Sequence, residues 1–145
     1  MTYVVDASVA AKWFLAEEYA HEALLLAEHG SRLIAPDVMP VEIARVILKK
    51  VRRGEIDETK ARLPLITMMG RAVFYHPSLP LLAHAIDISL QYQRDPFDGL
   101  YIALALQERC PLVTADRILY DALVSAYPDT LIWVGDLPNH LRRPA

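Results

Sequence analysis

The sequence is poor in the features that mark several large protein classes. It holds one cysteine, Cys110, in 145 residues, which excludes an intramolecular disulfide and suits a reducing cytoplasm. No apolar run approaches the roughly 20 residues that span a bilayer, and the purest, Leu100–Leu106, is far shorter. There is no basic excess either: the formal net charge is −3 and the pI about 5.9. A nonspecific nucleic-acid binder normally presents a basic footprint. A nucleic-acid enzyme of this composition therefore needs bound cations or a local basic strip. The opening Met1-Thr2-Tyr3-Val4-Val5-Asp6 reaches an acid with no basic segment before it, so no secretory leader is expected.

Missing motifs exclude further chemistry. No G-x-G-x-x-G follows a strand-like run, and no G-x-x-x-x-G-K-[ST] or G-x-S-x-G occurs. The five histidines, His21, His29, His76, His84 and His140, lack zinc-ligand spacing. A haloacid-dehalogenase-like phosphatase places a second Asp two residues after the first, where Ser8 stands here. A response-regulator receiver places adjacent acids after its first strand, and Val4-Val5-Asp6-Ala7 does not.

What is present is a core-forming chain, 54% hydrophobic and 23% charged, expected to form one domain over residues 1–145. Short apolar runs alternate with helical patterns, the signature of βα units. The expectation is a three-layer α/β/α sandwich on a mainly parallel five-stranded sheet. Strands are expected near Tyr3–Val5, Leu33–Ala35, Ala72–Tyr75, Leu112–Thr114 and Leu131–Val134. Helices are expected over Ser8–Leu15, Glu18–His29, Val38–Arg53, Leu79–Gln93, Asp98–Arg109 and Arg117–Tyr127. Gly30 and Gly54 are natural C′ residues, and Asp57 caps a further helix that Pro64 should kink before Gly70.

Four acids, Asp6, Glu42, Asp98 and Asp116, each fall where a strand stops or a helix starts. In an α/β sandwich those ends share one rim, so carboxylates distant in sequence can meet in one pocket. Two unit charges about 4 Å apart repel by roughly 4 kcal/mol at an effective dielectric of 20. Divalent cations remove that repulsion, and oxygen ligands favour Mg²⁺ or Mn²⁺. The pattern reads as metal-dependent phosphodiester hydrolysis.

Each acid also has a plain structural use. Asp6 and Asp116 stand at helix N-cap positions, and Glu42 can pair with Arg45 at i+3. Asp95 followed by Pro96 makes a good cap, with Asp98 in the first turn of a nearly all-apolar helix. The Thr114 hydroxyl is placed to hydrogen-bond beside Asp116. Glu42, Arg45, Lys49 and Arg53 share a polar helix face that either leads substrate phosphates toward the pocket or is merely solvated.

Four phrases carry a family resemblance: Val5-Asp6-Ala7-Ser8-Val9, Glu42 on the third helix, Phe97-Asp98-Gly99-Leu100-Tyr101-Ile102-Ala103-Leu104-Ala105, and Leu112-Val113-Thr114-Ala115-Asp116. In order and spacing, over essentially the whole chain, they resemble the PIN-domain family, and more narrowly VapC-type toxin ribonucleases. The resemblance implies that Asp6, Glu42, Asp98 and Asp116 hold one or two Mg²⁺ or Mn²⁺ ions and hydrolyse RNA. It also implies a homodimer and a cognate antitoxin, beside the cytoplasmic location expected from the lone Cys110. Thr114 matches a hydroxyl residue common two positions before the last acid, and Ser8 and Asp95 stand as auxiliary residues. Gly99 departs from the usual Ala, and Asp95 competes with Asp98 for the third-ligand role. The rival readings are a non-catalytic PIN-like interaction module and a housekeeping RNA-processing nuclease. In the first, Trp13-Phe14 or Leu63–Met69 offers a docking surface, although core packing is the plainer use of such residues.

Overall fold

A computed structural model of the chain describes residues 1–64 and 73–142. Its strands are β1 (Thr2–Val5), β2 (Arg32–Pro36), β3 (Val73–His76), β4 (Leu112–Thr114) and β5 (Leu131–Trp133). All neighbours pair in parallel, in the order β3-β2-β1-β4-β5, with helices on both faces of the sheet. Burial on both faces explains why β1, β4 and β5 read as continuous apolar runs rather than alternating ones. Edge strand β3 is different, leaving Phe74 and Tyr75 exposed.

The α-helices that lie wholly among the described residues are α1 (Ala7–Ala10), α2 (Ala20–Glu28), α3 (Met39–Arg52), α4 (Glu58–Ala61), α5 (Leu82–Tyr92), α6 (Pro96–Glu108), α7 (Arg117–Leu123) and α8 (Leu137–Leu141). Helix α6 is the central one, with every residue from Gly99 to Ala105 buried, and it packs on α5, β1, β2 and β4. Its interior residues Ile102 and Leu104 are fully enclosed; truncating such a side chain to Ala typically costs about 2–5 kcal/mol. Trp13 is buried and donates its indole N–H to the Ala23 carbonyl at 2.9 Å, so the Trp13-Phe14 pair belongs to the core side of the chain.

Helix ends follow local chemistry. Asp57 caps α4 through the Lys60 N–H at 2.8 Å, and Gly30 and Gly54 take the left-handed conformation just past α2 and α3. Some boundaries differ from expectation. The first helix tightens into a 3₁₀ turn at Ala11–Trp13, and Val134 opens another 3₁₀ turn instead of extending β5. Helix α6 begins at Pro96, two residues before Asp98, because Asp95 accepts the Phe97 N–H at 2.8 Å. Helix α7 ends at Leu123 rather than Tyr127. The expected kink at Pro64 and stop at Gly70 run into residues outside the described ones, as does the start of the third strand at Ala72.

The topology fixes where a site can lie. From β1 the chain moves outward to β2 and β3, then returns to place β4 and β5 on the other flank of β1. The C-terminal ends of β1 and β4 therefore form the switch point, the usual crevice of an open parallel sheet.

Candidate active site

Strand register brings the first elements of the site together. Val5 is paired with Val113, so the next residues, Asp6 and Thr114, emerge side by side at the switch point. The Asp6 N–H donates to the Val113 carbonyl at 3.1 Å, extending the ladder one step further. Asp6 occupies the N-cap position of α1 but makes no side-chain cap. Its Oδ2 instead accepts the hydroxyls of Ser8 and Thr114, each at 2.7 Å. The capping position and the capping bond are thus separated, and the carboxylate is held beneath two hydroxyls.

Those hydroxyls are themselves fixed. Ser8 Oγ accepts the Ala115 N–H and Thr114 Oγ1 accepts the Asp116 N–H, both at 3.0 Å. Asp116 caps α7 through the Leu119 N–H at 3.0 Å. The helix-cap use that the sequence offers for Asp116 is therefore realised.

Glu42 projects from the first turn of α3, where its Oε1 accepts the Tyr101 hydroxyl at 2.8 Å. Asp98 sits in the first turn of α6 and receives Arg94 Nε and Nη2 on Oδ2, at 3.2 and 2.9 Å. Asp95 is exposed and spent on capping. Arg45 and Lys49 are exposed on α3, with the Arg45 guanidinium 5.7 Å from the Phe97 ring centroid; Arg53, also exposed, lies 4.0 Å from Glu55.

The electrostatics tie the four acids into one environment. Burial is the main force raising the Asp6 carboxyl above its ordinary range, against the Thr114 and Ser8 hydrogen bonds, and Asp116 raises it further. Burial pushes Glu42 up to about 7, with Asp6 and Asp98 adding repulsion against the Tyr101 bond and Arg45. Burial likewise pushes Asp98 up to about 6 despite Arg94, and Asp6 and Asp116 contribute to the rise. Burial, Asp6 and Glu42 lift the Tyr101 phenol far above its usual range, so it stays a hydrogen-bond donor.

Among the described residues, no three His, Cys, Asp or Glu side chains already stand together as a ready grip for an ion. Each acid is engaged by a protein donor: hydroxyls at Asp6, Tyr101 at Glu42, Arg94 at Asp98 and a helix N–H at Asp116. The donor set is nonetheless all oxygen and acidic, which fits a hard divalent cation. Two contributors escaped the sequence reading. Tyr101 is the one hydroxyl in an otherwise apolar helical stretch, and Arg94 stands at i−4 to Asp98, a spacing that permits pairing.

Comparison with known proteins agrees with this architecture. The PIN domain family profile matches residues 3–123. Ribonuclease VapC3 of Pyrobaculum aerophilum is 30% identical over 130 residues, covering 86% of this chain and 99% of that protein. Ribonuclease VapC9 of Mycobacterium tuberculosis is 32% identical over 129 residues, covering 89% and 97%. Among solved structures, PAE2754 from Pyrobaculum aerophilum superposes with a TM-score of 0.74 at 21% identity, covering 97% of this chain and 89% of that one. A chain of a toxin–antitoxin complex from Klebsiella pneumoniae gives a TM-score of 0.59 at 14% identity, covering 90% and 95%. The structural likenesses speak for the fold, while the profile and the curated relatives speak for descent. The chain belongs to the PIN-domain family, within its VapC branch.

Proposed function

We propose that the chain is a Mg²⁺- or Mn²⁺-dependent endoribonuclease and the toxin of a toxin–antitoxin pair. The observation that supports the reading is the hydrogen-bonded cluster at the switch point, where Ser8 and Thr114 hold the buried Asp6 carboxylate and Thr114 also accepts the Asp116 N–H. The ribonuclease names of its curated relatives support RNA as substrate. The toxin–antitoxin neighbour supports a protein partner.

Asp6, Glu42, Asp98 and Asp116 are the proposed holders of the ions. A divalent cation held there would supply Lewis acidity and lower the pKa of a water, so that hydroxide is available to attack a phosphodiester near neutral pH. The chain's own residues set the stage for that chemistry. Ser8 and Thr114 hold Asp6 by its Oδ2, Tyr101 holds Glu42, and Thr114 also fixes the backbone on which Asp116 stands. Such outer contacts orient ligands and exclude alternative rotamers. Exposed Arg45 and Lys49 on α3, and Arg53 just past its end, offer phosphate contacts outside the pocket.

Purified protein incubated with total cellular RNA tests the reading. Discrete fragments in Mn²⁺ or Mg²⁺ and none in EDTA are expected. Intact RNA from folded, antitoxin-free protein at every metal concentration would overturn it in favour of a binding module. A homodimer is also proposed, since Leu79, Leu82, Ile86 and Leu90 on and before α5 leave an apolar stripe exposed. Sedimentation of the purified chain as a monomer at micromolar concentration sinks that part.

A further inference from the structure

Arg94 lies in the corner between α5 and α6, next to the pocket but outside the ligand set. Gln93 ends α5 in the left-handed conformation at φ 52, and the Arg94 N–H then closes on the Ser89 carbonyl at 3.0 Å. Ser89 Oγ shares its one hydrogen between the Ala85 carbonyl at 2.8 Å and the Asp95 carbonyl at 3.2 Å, while Asp95 caps α6. The corner is therefore tied to both helices, and the Arg94 side chain starts from a fixed point. Both of its hydrogen-bonding nitrogens reach the same Asp98 oxygen, and the two side chains are only 19% and 20% exposed. Among the described residues, Asp98 is the one pocket acid with an ion-pair partner.

We propose that Arg94 is a built-in counter-cation of the pocket, neutralising Asp98 in the metal-free protein and competing with the divalent ion for that carboxylate. The inference rests on the metal-dependent reading above. Four neighbouring carboxylates repel one another, and a fixed positive charge on one of them steadies the empty pocket. The same charge repels an arriving dication and occupies an oxygen it would use. By linkage, a group that favours the metal-free state lowers metal affinity by the same factor. The contrary role, in which Arg94 only orients Asp98 for the ion, predicts the opposite sign. Measured affinity therefore separates the two.

The experiment is calorimetric titration of Mn²⁺ into the full chain at pH 7.5, for wild type, Arg94→Gln, Arg94→Lys and Asp6→Asn, with thermal unfolding in EDTA alongside. Arg94→Gln is expected to bind Mn²⁺ about tenfold more tightly and to melt about 3 °C lower in EDTA. Arg94→Lys keeps a charge at the site and stays closer to wild type, while Asp6→Asn loses most binding. Arg94→Met preserves the side-chain stem and repeats the test if the Gln variant does not fold. Unchanged or weaker Mn²⁺ affinity in the neutral variants, with wild type binding and Asp6→Asn not, overturns the counter-cation role alone. Absence of Mn²⁺ binding by folded wild type overturns the metal site and this role together.

Discussion

Thr114 Oγ1 donates to Asp6 Oδ2 at 2.7 Å, linking residues that the β1–β4 register sets side by side. The same oxygen accepts the Asp116 N–H at 3.0 Å, so one buried hydroxyl serves two of the four acids.

Thr114→Val keeps the shape of the side chain and removes that link. It strips one hydrogen bond from a buried carboxylate and leaves the Asp116 N–H without its acceptor. A loss of about 1–3 kcal/mol in stability is expected, with RNA cleavage reduced at least about tenfold. Thr114→Ser, which retains the hydroxyl, should recover most of both. Chemical denaturation and initial cleavage rates check this, and equal rates for the Val variant and wild type contradict it.

Glu42 and Asp98 make the metal-free protein sensitive to alkali. Their folded-state values, about 7 and about 6, lie above the ordinary 4.5 and 3.8. The folded state thus binds protons more tightly than the unfolded chain, and stability falls as pH rises through this window. The contribution is fully present below the ordinary values and lost above about 7. In EDTA, Glu42→Gln should therefore raise the melting temperature relative to wild type at pH 8 and change it little at pH 4. The reverse pattern across those two pH values contradicts the burial of Glu42 as a charged group.

Tyr101→Phe removes the hydroxyl that donates to Glu42 at 2.8 Å. That bond favours the ionised carboxylate, so its loss raises the Glu42 value further. In EDTA, the limb of the stability profile that falls with rising pH should move to higher pH in the Phe variant. An unshifted limb removes Tyr101 from the account.

Gly99 stands where α5 and α6 leave no room for a side chain. A Cβ there meets the Ala85 carbonyl oxygen in hard overlap and lies 2.8 Å from Ser89 Oγ. Helices α5 and α6 approach too closely for a methyl group. Gly99→Ala gains up to about 1 kcal/mol in helix propensity but should lose about 1–3 kcal/mol to overpacking. A net fall in melting temperature is expected, and a rise shows that the corner is looser than described.

The amino-acid pattern carried most of the frame because buried parallel strands leave uninterrupted apolar runs, as at Tyr3–Val5 and Leu112–Thr114. It also marked the four acids, whose places at strand and helix ends are one-dimensional features. Their partners were less visible because they depend on long-range geometry. Tyr101 meets Glu42 across 59 positions, and Thr114 meets Asp6 across 108. Turn conformations were hidden for another reason: Gln93 and Arg109 end α5 and α6 at positive φ without the glycine that usually signals such a cap. Arg94 had a readable i,i+4 spacing to Asp98, but spacing alone does not say that the pair forms.

The most direct test compares Mn²⁺-dependent RNA cleavage by wild type with Asp6→Asn, Glu42→Gln, Asp98→Asn and Asp116→Asn, each verified as folded by circular dichroism. The account predicts cleavage by wild type, abolished by EDTA, and a loss of at least about a hundredfold in every variant. Wild-type rates in Asp6→Asn, or undiminished cleavage in EDTA, contradict a metal-dependent site built on these four carboxylates.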